Sequence, residues 1–463
     1  MASPYFPNDV EEIRQRMLKT IGVNDIESLF SDIPEEARLK SSLDIPPPLS
    51  EVETIREIEG ILGMNQTTKK LLSFLGGGVW SHFVPAIVDE VSRRTEFLTS
   101  YTPYQPEINQ GILQALFEYQ SLICELLGMD VSNCSMYDWA SSLGEAARMT
   151  VRVTCRRDFL YPHFISCDRL ATLRSYSESA GIRLVEYTQN VTNGQVDLED
   201  LKSKVSKNTA GVYLENPSYL GFLLEDVEDI SEITHDMGGV LVAGVNTMSL
   251  GVIKPPGEYG ADIVVGEGQP LGNYMNLGGP LLGLFACRGD AKFLRQIPGR
   301  IVGMTTTIDG KERGFCFVLQ TREQHIRRSK ATSNICTNET LCALRAAVFL
   351  VALGKEGFRE LAETILSISN YAIRMLSKIE GVKAPFFRAF HFNEFVVNFD
   401  DTGREVQDIN RDLLQKGIFG GKSLRLEFPE LRNSALYCVT ELHTRKDIEY
   451  LQLSLKDALE ADS

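Results

Sequence analysis

The chain has 463 residues, of which 43% are hydrophobic and 24% are charged, so it is long enough for two or three domains and a large core. Its formal net charge of −15 argues against a nucleic-acid partner, because phosphate binding needs a basic surface. The nine cysteines form no C-x-x-C pair, and the six histidines lie far apart in sequence. We therefore expect reduced thiols and no metal site.

The first residues of the chain are acidic and amphipathic, without the basic and apolar regions of a secretion signal. The longest apolar stretch, residues 341–354, contains Arg345 and is too short to span a bilayer. The sequence therefore predicts a cytoplasmic protein that does not contact a membrane.

Residues 1–105 are predicted to form a helical arm and interface segment, with a proline-rich connector at residues 42–51 that cannot continue a helix. A glycine run follows at residues 76–82. Because it lacks a clear preceding strand and the lysine or serine of a phosphate-binding loop, it predicts a tight turn that approaches a neighbouring subunit. His82 in this run is a candidate site contact, and a structural role for this histidine is the alternative.

The next loop, residues 100–111, carries phenol, amide and carboxyl groups. Pro103 and Pro106 restrict its backbone, so its side chains can be held in place at little cost in entropy on binding. The loop either lines a binding site shared with a partner or is a rigid interface loop that only packs. Its candidate site residues are Tyr101, Tyr104, Gln105, Glu107 and Gln110.

Residues 106–350 are predicted to form a large α/β domain. Residues 110–128 have helical periodicity, and four short apolar runs predict strands at residues 210–216, 239–246, 261–268 and 281–287. A predicted helix at residues 225–239 joins the first two of these strands. Such alternation predicts a mostly parallel sheet with functional loops at the carboxyl ends of its strands.

Two polar segments of this domain carry their own predictions. Ser142 and Glu145 have the spacing of a capping box and predict the start of a helix. The basic run at residues 321–334 predicts a solvated helix face with ion pairs to Glu323, and the alternative is a docking patch for an acidic carrier protein or for another subunit. Its basic residues are Arg322, Arg327, Arg328 and Lys330.

Residues 351–463 are predicted to form a smaller α+β domain. The pattern predicts a helix at residues 356–379, strands at residues 391–399 and 435–442, and a glycine-bearing turn at residues 416–423. Thr444 is expected to begin the last helix.

Four stretches together resemble the N-terminal half, or subunit 1, of glycine decarboxylase, which is the P-protein of the glycine cleavage system. They are residues 74–141, 249–269, 321–338 and 440–444, and they follow one another in one order along most of the chain. The resemblance implies the aspartate-aminotransferase fold of pyridoxal-phosphate (PLP) enzymes, known as fold type I. It also implies a heterotetramer, α2β2, with a sister subunit 2.

In enzymes of this fold, a lysine just past a buried strand forms a Schiff base with PLP, and an acidic residue on an earlier strand keeps the pyridine nitrogen protonated. Aligned by the strand pattern, Gln269 stands near the lysine position and Asn246 stands at the acid position. A neutral amide can perform neither role. The alternative is that the loop is elsewhere and that a lysine such as Lys254 or Lys330 forms the Schiff base.

The chain departs from the resembled family in two places. Trp139 stands where small residues are usual, and Ser166 and Cys167 stand where a His-Pro pair is expected. Both departures fall in the part of the chain where the resemblance implies that a cofactor-binding relative would hold PLP.

The resemblance implies that glycine is decarboxylated with PLP held by the sister subunit, and that the aminomethyl group passes to the lipoyl arm of the H-protein. This chain then binds no cofactor alone, lines the site in trans and is inactive by itself. One rival hypothesis is a non-catalytic homo-oligomer that acts as a binding or scaffolding module. Another is an independent PLP enzyme that uses an unexpected lysine.

Overall fold

The computed structural model describes residues 5–6, 9–100 and 103–460. The chain divides into two compact units, Met1–Gln66 and Thr67–Ser463. The first unit contains helices α1 (Glu11–Ile21) and α2 (Glu51–Leu62). A capping box between Ser50 and Glu53 begins α2 directly after the prolines, which lie in a stretch without helix or strand, as the sequence predicts.

The second unit is built around a seven-stranded sheet with the strand order β2-β8-β7-β6-β5-β3-β4. Strands β3 to β7 run parallel, β8 runs antiparallel to β7, and β2 runs antiparallel to β8. The strands of the described chain are β1 (Leu72–Ser73), β2 (Val131–Ser132), β3 (Asp158–Pro162), β4 (Arg183–Tyr187), β5 (Thr209–Glu215), β6 (Val240–Asn246), β7 (Ile263–Glu267), β8 (Gly283–Cys287), β9 (Ile301–Thr306), β10 (Arg313–Val318), β11 (Glu394–Asn398), β12 (Ile418–Phe419), β13 (Lys422–Ser423) and β14 (Ser434–Cys438).

The four strands predicted from apolar runs are confirmed as β5, β6, β7 and β8. Every residue of these strands is buried, which explains their nearly continuous apolar sequences, because helices cover both faces of a parallel sheet. The mostly parallel sheet is therefore confirmed. The carboxyl ends of β5, β6 and β7 meet at one edge of it.

The remaining helices are α3 (Ala86–Ser92), α4 (Thr95–Leu98), α5 (Gln110–Leu127), α6 (Trp139–Thr154), α7 (Cys167–Glu178), α8 (Leu198–Lys204), α9 (Val227–Asp236), α10 (Ala291–Leu294), α11 (Gln324–Arg327), α12 (Thr340–Leu376), α13 (Val406–Gln415) and α14 (Arg445–Glu460). The predicted helices at residues 110–128 and 225–239 are confirmed as α5 and α9. Within the described residues, no helix has both the length and the apolar character needed to cross a membrane.

The predicted N-cap of α6 is wrong by four residues. Asp138 is the N-cap, its carboxyl group accepts a hydrogen bond from the Ser141 amide at 2.7 Å, and Ser141 completes the capping box. Ser142 instead donates to the Asp138 carbonyl, and Glu145 lies buried inside the helix, where it accepts from the Ser333 hydroxyl at 2.8 Å. Both capping pairs have the same spacing, so the sequence pattern could not choose between them.

The C-terminal part contains a three-stranded antiparallel sheet with the order β11-β14-β13. The predicted strands at residues 391–399 and 435–442 are confirmed as β11 and β14, and Thr444 caps α14 through Asp447. The predicted turn at residues 416–423 also contains the two short strands β12 and β13. Helix α12 runs through residue 350 and has a non-helical residue at Gly354. The domain boundaries after residues 105 and 350 stay predictions.

Candidate functional site

The candidate site lies at the sheet edge where the parallel strands end. Glu215 ends β5, Asn246 ends β6 and Glu267 ends β7, and all three side chains are buried. In open α/β sheets, this edge is where ligands bind. A buried acidic and amide cluster at this edge is therefore the place to test what the chain can hold.

Gln269 lies two residues beyond the end of β7 and is fully buried. Its side-chain carbonyl accepts a hydrogen bond from the Trp80 amide at 3.2 Å, and its side-chain amide donates to the Asn273 carbonyl at 2.8 Å. Both ends of this side chain are thus used within the chain. Gln269 holds the loop together and, being an amide, cannot condense with an aldehyde.

Asn246 is also satisfied by the chain itself. Its carbonyl oxygen accepts from the Met248 amide at 3.1 Å, and its Nδ2 donates to Oδ1 of Asn393 at 3.1 Å. Asn393 lies next to β11, so this bond joins the large sheet to the C-terminal part. A neutral asparagine at this position offers no negative charge to a pyridinium.

The sequence points to no stacked cluster at this edge, but the structure contains one, which we call the tryptophan stack: Trp139, Arg169, Tyr213 and Glu215. The Arg169 guanidinium lies 3.8 Å above the centre of the Trp139 ring and forms an ion pair of 2.6 Å with Glu215. The Trp139 indole donates to the Tyr213 hydroxyl at 3.0 Å, which donates to Glu215 at 2.8 Å. All four residues are buried.

The tryptophan stack is energetically coupled. Burial alone would lower the pKa of Arg169, but the nearby Glu215 charge outweighs it and the pKa is raised, so the arginine stays charged. A desolvated cation over an indole ring contributes about 2 kcal/mol. The ring and the ion pair therefore stabilise each other in a place that excludes water.

The stack leaves no room above the sheet. A Cβ atom at Gly244 of β6 would overlap the Tyr213 hydroxyl and lie 2.9 Å from the Trp139 ring. The indole therefore rests directly on the backbone of β6. Only glycine permits this close approach.

The N-terminus of α6, which could bind an anion, is also occupied. Asp138 accepts from the Ser141 amide, and the Glu267 carboxyl group accepts from the Trp139 amide at 3.3 Å. Glu267 accepts two further amides, from Gln269 at 3.0 Å and Leu282 at 2.9 Å, and burial raises its pKa to about 8. The chain's own carboxyl groups thus take the donors that a phosphate would need.

These residues do not fit PLP. The amide of Gln269 replaces a lysine, Asn246 replaces an acid, the Trp139 ring lies on the sheet, and carboxyl groups fill the helix N-terminus. Neither alternative lysine is buried: Lys254 forms a surface ion pair of 2.9 Å with Glu228, and Lys330 lies exposed in a short turn. Lys422 donates to the hydroxyl of Tyr219 at 2.7 Å, and the Tyr219 ring lies 5.4 Å from the Arg169 guanidinium.

The two departures from the resembled family are neighbours in space. Ser166 and Cys167 begin helix α7, and the first turn of that helix carries Arg169 onto Trp139. The altered helix start and the large indole therefore belong to one arrangement. Sequence spacing gives no sign of this, because it does not say which helix lies over which.

The glycine run at residues 76–82 forms the tight turn that the sequence predicts, with φ of +98° at Gly77 and +113° at Gly78. Within the chain, Glu394 of β11 accepts the Gly77 amide at 2.6 Å, and an approach of this turn to a neighbouring subunit stays a prediction. A Cβ at Gly76 would overlap the Glu394 carboxyl group. Burial raises the pKa of Glu394 to about 7.

His82 is buried beside Glu441, with its Nδ1 2.9 Å from Oε2 of that carboxyl group. Burial alone would raise the pKa of Glu441, but the hydrogen bond and charge of His82 hold it below its ordinary value. Within the described residues, the other ring nitrogen of His82 has no hydrogen-bond partner. A site role for His82 stays a prediction.

The candidate loop is held on the β9–β10 hairpin. Gln110 pairs with the backbone of β10, accepting from the Phe315 amide at 2.9 Å and donating to the Phe315 carbonyl at 2.9 Å. The Tyr104 hydroxyl accepts from Arg300 at 2.6 Å. Gln105 and Glu107 are exposed, and Tyr101 lies outside the described residues.

The basic run is not the helix face that the sequence predicts. Helix α11 has only four residues, and Arg322 turns inward to donate to the carbonyls of Ile297 and Gly299. Glu323 is buried and lies 3.7 Å from Arg300 and 3.5 Å from His325. The exposed basic residues are Arg327, Arg328 and Lys330, so a docking role for this run stays a prediction.

The predicted site residues thus form two groups. His82, Asn246 and Gln269 lie around the strand ends, whereas Tyr104 and Gln110 lie on the hairpin. Within residues 5–6, 9–100 and 103–460, no group of three or more His, Cys, Asp or Glu side chains could hold a metal ion.

Comparisons with known proteins agree over the full length. The family model described as glycine cleavage system P-protein matches residues 4–455. A protein of Staphylothermus marinus named probable glycine dehydrogenase (decarboxylating) subunit 1 is 48% identical over 463 residues, covering 98% of each chain. The protein of the same name from Pyrococcus horikoshii is 46% identical and covers 99% of this chain and 100% of its own length.

Solved structures share the fold. The crystal structure of a glycine decarboxylase (P-protein) of the glycine cleavage system, in inhibitor-bound form, superposes with a TM-score of 0.88 and 39% identity over 97% of this chain and 98% of its own. A sphingosine-1-phosphate lyase of Burkholderia pseudomallei superposes with a TM-score of 0.66 at 14% identity, over 92% of this chain and 94% of its own. At that identity, the likeness concerns the fold alone.

Proposed function

The chain belongs to the P-protein family of the glycine cleavage system, and we propose that it is subunit 1 of a split glycine decarboxylase, the subunit that does not hold the cofactor. Its fold is that of the PLP-dependent enzymes of fold type I. The observation that carries the proposal is the tryptophan stack, which fills the place above β6 where this chain would have to hold PLP.

The proposed division of roles follows from what each group of residues can do. PLP, held by the sister subunit, supplies the electron sink for decarboxylation. In the complex, glycine loses carbon dioxide and its aminomethyl group passes to the lipoyl arm of the H-protein. This chain contributes Tyr101, Tyr104, Gln105 and Glu107 to one wall of that site, and its own strand ends only support the fold.

The named relatives support a partner, since they are called subunit 1 and this chain spans nearly their full length. We propose that two copies of this chain and two of subunit 2 form an α2β2 heterotetramer. The proposal includes the lipoylated H-protein as the acceptor and a cytoplasmic location, which stay predictions from the sequence.

The test compares the purified chain, the purified subunit 2 and their mixture, each with added PLP. After removal of free PLP by gel filtration, we expect PLP absorbance to stay with the protein only where subunit 2 is present. We also expect glycine-dependent exchange of carbon dioxide only in the mixture with H-protein. Subunit 2 alone is the matched control, because it shows what the lysine-bearing chain does without this one.

Two results would overturn the proposal. If borohydride fixes PLP to a lysine of the isolated chain, peptide mapping would identify that lysine, and the chain would be an independent PLP enzyme. If the chain forms a stable homo-oligomer that does not bind subunit 2, it would be a binding or scaffolding module and not an enzyme subunit.

A further inference from the structure

Tyr104 and Arg300 form a hydrogen-bonded pair in which the tyrosine is partly exposed and the arginine is buried. The Tyr104 side chain is 41% exposed, whereas Arg300 is only 6% exposed. Nη2 of Arg300 donates to the phenol oxygen at 2.6 Å, and the guanidinium lies 4.9 Å from the centre of the Tyr104 ring. A buried cation therefore fixes both the ring and the oxygen of a side chain that faces outward.

Arg300 is itself held from several sides. Its carbonyl accepts the Cys134 amide at 2.8 Å, and its guanidinium lies 5.7 Å from the ring of Phe317 on β10. Glu323 lies 3.7 Å from its Nε, and the ring of His325 meets that of Tyr104 edge-on at 5.7 Å. These contacts leave the guanidinium little freedom, so it can hold Tyr104 without paying ordering entropy on binding.

The direction of the hydrogen bond decides what Tyr104 offers. An arginine side chain has donors and no acceptor, so the phenol oxygen must accept from Arg300 and cannot donate to it. In the part of the chain that the structure describes, no group accepts the Tyr104 hydroxyl hydrogen. That hydrogen is therefore available to a molecule outside the chain.

The adjacent charge makes this donor suited to a negative oxygen. A hydroxyl that accepts a hydrogen bond from a cation becomes a better donor, because bonds in a chain polarise one another. Glu323 partly balances the guanidinium charge from 3.7 Å at Nε, which is too far for a normal hydrogen bond.

We propose that Arg300 is a positioning residue for the reaction of the proposed complex: it holds Tyr104 so that the phenol donates to an anionic oxygen of a ligand in the subunit 2 site. That oxygen belongs either to the carboxylate of glycine or to the phosphate of the cofactor. The inference rests on the proposed function and adds to it a residue and the chemistry that it serves.

The experiment uses the mixture of this chain with subunit 2 and H-protein. Tyr104→Phe removes the donor, and Arg300→Met removes the group that aims it. Each is expected to weaken binding about ten- to a hundredfold, the range for a hydrogen bond to a charged group. The double variant is expected to be no worse than either single variant, because the two residues act through one hydrogen bond.

The affected constant identifies the ligand. A rise in KM for glycine with little change in kcat assigns the carboxylate, whereas a rise in the Kd for PLP with unchanged KM assigns the phosphate. Arg300→Lys keeps the charge but not the planar fork, so we expect it to restore part of the loss. Size-exclusion chromatography of each mixture shows whether assembly is intact.

The matched control is Arg288→Met. Arg288 also lies over an aromatic ring, that of Phe293 at 5.5 Å, and also pairs with acids, Asp262 and Asp290. It follows antiparallel β8 and therefore lies at the opposite edge of the sheet from the strand ends. We expect this variant to leave KM, kcat and PLP affinity unchanged.

Hydrogen exchange separates this inference from the proposed function. In the isolated full chain, Arg300→Met is expected to speed exchange of the Ile108 and Asn109 amides, which bond to the Gln105 and Pro106 carbonyls, and Arg288→Met is not. Unchanged exchange would overturn the positioning role even if the mixture has no activity. Independent, additive effects of the two substitutions in an active mixture would overturn it as well, whereas an inactive wild-type mixture counts against the proposed function alone.

Discussion

The strand ends and the loop at residues 100–111 differ in how their polar side chains are placed. In the tryptophan stack, the donors of Trp139 and the charges of Arg169 and Glu215 are directed at one another, and all are buried. On the loop, Tyr104 is half exposed and Gln105 and Glu107 face solvent. The chain thus fills the space at its own strand ends with its own side chains, whereas the polar groups of the loop stay exposed.

The two regions also differ in how they are held. The stack is stabilised by groups inside it, so its order does not depend on any ligand. Gln110 and Arg300 hold the loop through hydrogen bonds to Phe315 and Tyr104, and these contacts leave Gln105 and Glu107 exposed. A rigid loop with a free outer face is suited to lining a site in a partner.

The largest loss of stability is expected when the Trp139 ring is removed from the tryptophan stack. Trp139→Ala removes the ring that lies between Arg169 and β6 and leaves a cavity, so we expect a loss of about 3 to 5 kcal/mol in the free energy of unfolding. Urea denaturation of the isolated chain measures it. A loss below about 1 kcal/mol would mean that the ring is not packed as the structure has it. Because Gln269 remains, the variant should still retain no PLP after gel filtration.

A second prediction concerns the buried carboxyl group of Glu394. Burial raises the pKa of Glu394 from 4.5 to about 7, so the native state favours the protonated form. Stability from this group is therefore full below pH 4.5, falls as the pH rises through 7, and levels off above it, a change of roughly 3 kcal/mol.

Glu394→Gln keeps the shape and the acceptor for Gly77 but removes the titration. We expect this variant to be more stable than the wild type at pH 8 and to show a smaller fall in stability between pH 5 and pH 7, because Glu267, with its pKa raised to about 8, still titrates. Chemical denaturation at several pH values measures both. An unchanged pH profile would show that Glu394 does not titrate in this range.

A smaller effect is expected at the anchor of the loop. Gln110→Ala removes two hydrogen bonds to Phe315 and leaves two backbone groups of β10 without partners, so we expect a loss of about 1 to 2 kcal/mol. Thermal unfolding of the isolated chain measures it. Gln114→Ala is the matched control, since Gln114 lies one turn further along α5 and bonds only to exposed Glu118. Equal losses for the two variants would show that the anchor adds nothing.

The smallest effect is expected on the open face. Gln105→Ala and Glu107→Ala should change the stability of the isolated chain by no more than about 0.5 kcal/mol, as for most surface substitutions. In the mixture with subunit 2, the same variants are expected to lower activity or weaken association. If they are silent in both measurements, the loop does not face the partner's site.

The β9–β10 hairpin, which supports the loop, is not among the elements predicted from the sequence. Two alternating runs flank Asp309 and Gly310, a common turn pair, and they were the signal that could have identified the hairpin. Because the hairpin was not predicted, no feature of the sequence marked Arg300 as a contact of the loop. Tyr104 and Arg300 are 196 positions apart in sequence, which puts their contact beyond any local pattern.

The sequence was enough to predict the buried strands β5 to β8, helix α9 between β5 and β6, the family and the amides at residues 246 and 269. These features are local, because strand and helix periodicity and residue identity can be read within about ten positions. Only the tertiary structure decided that Arg169 covers Trp139, that Asp138 caps α6, that the glycine run meets Glu394, and that Arg300 holds Tyr104. Those contacts join segments distant in sequence or choose between equal local patterns, and it is packing, through close approach and burial, that selects among them.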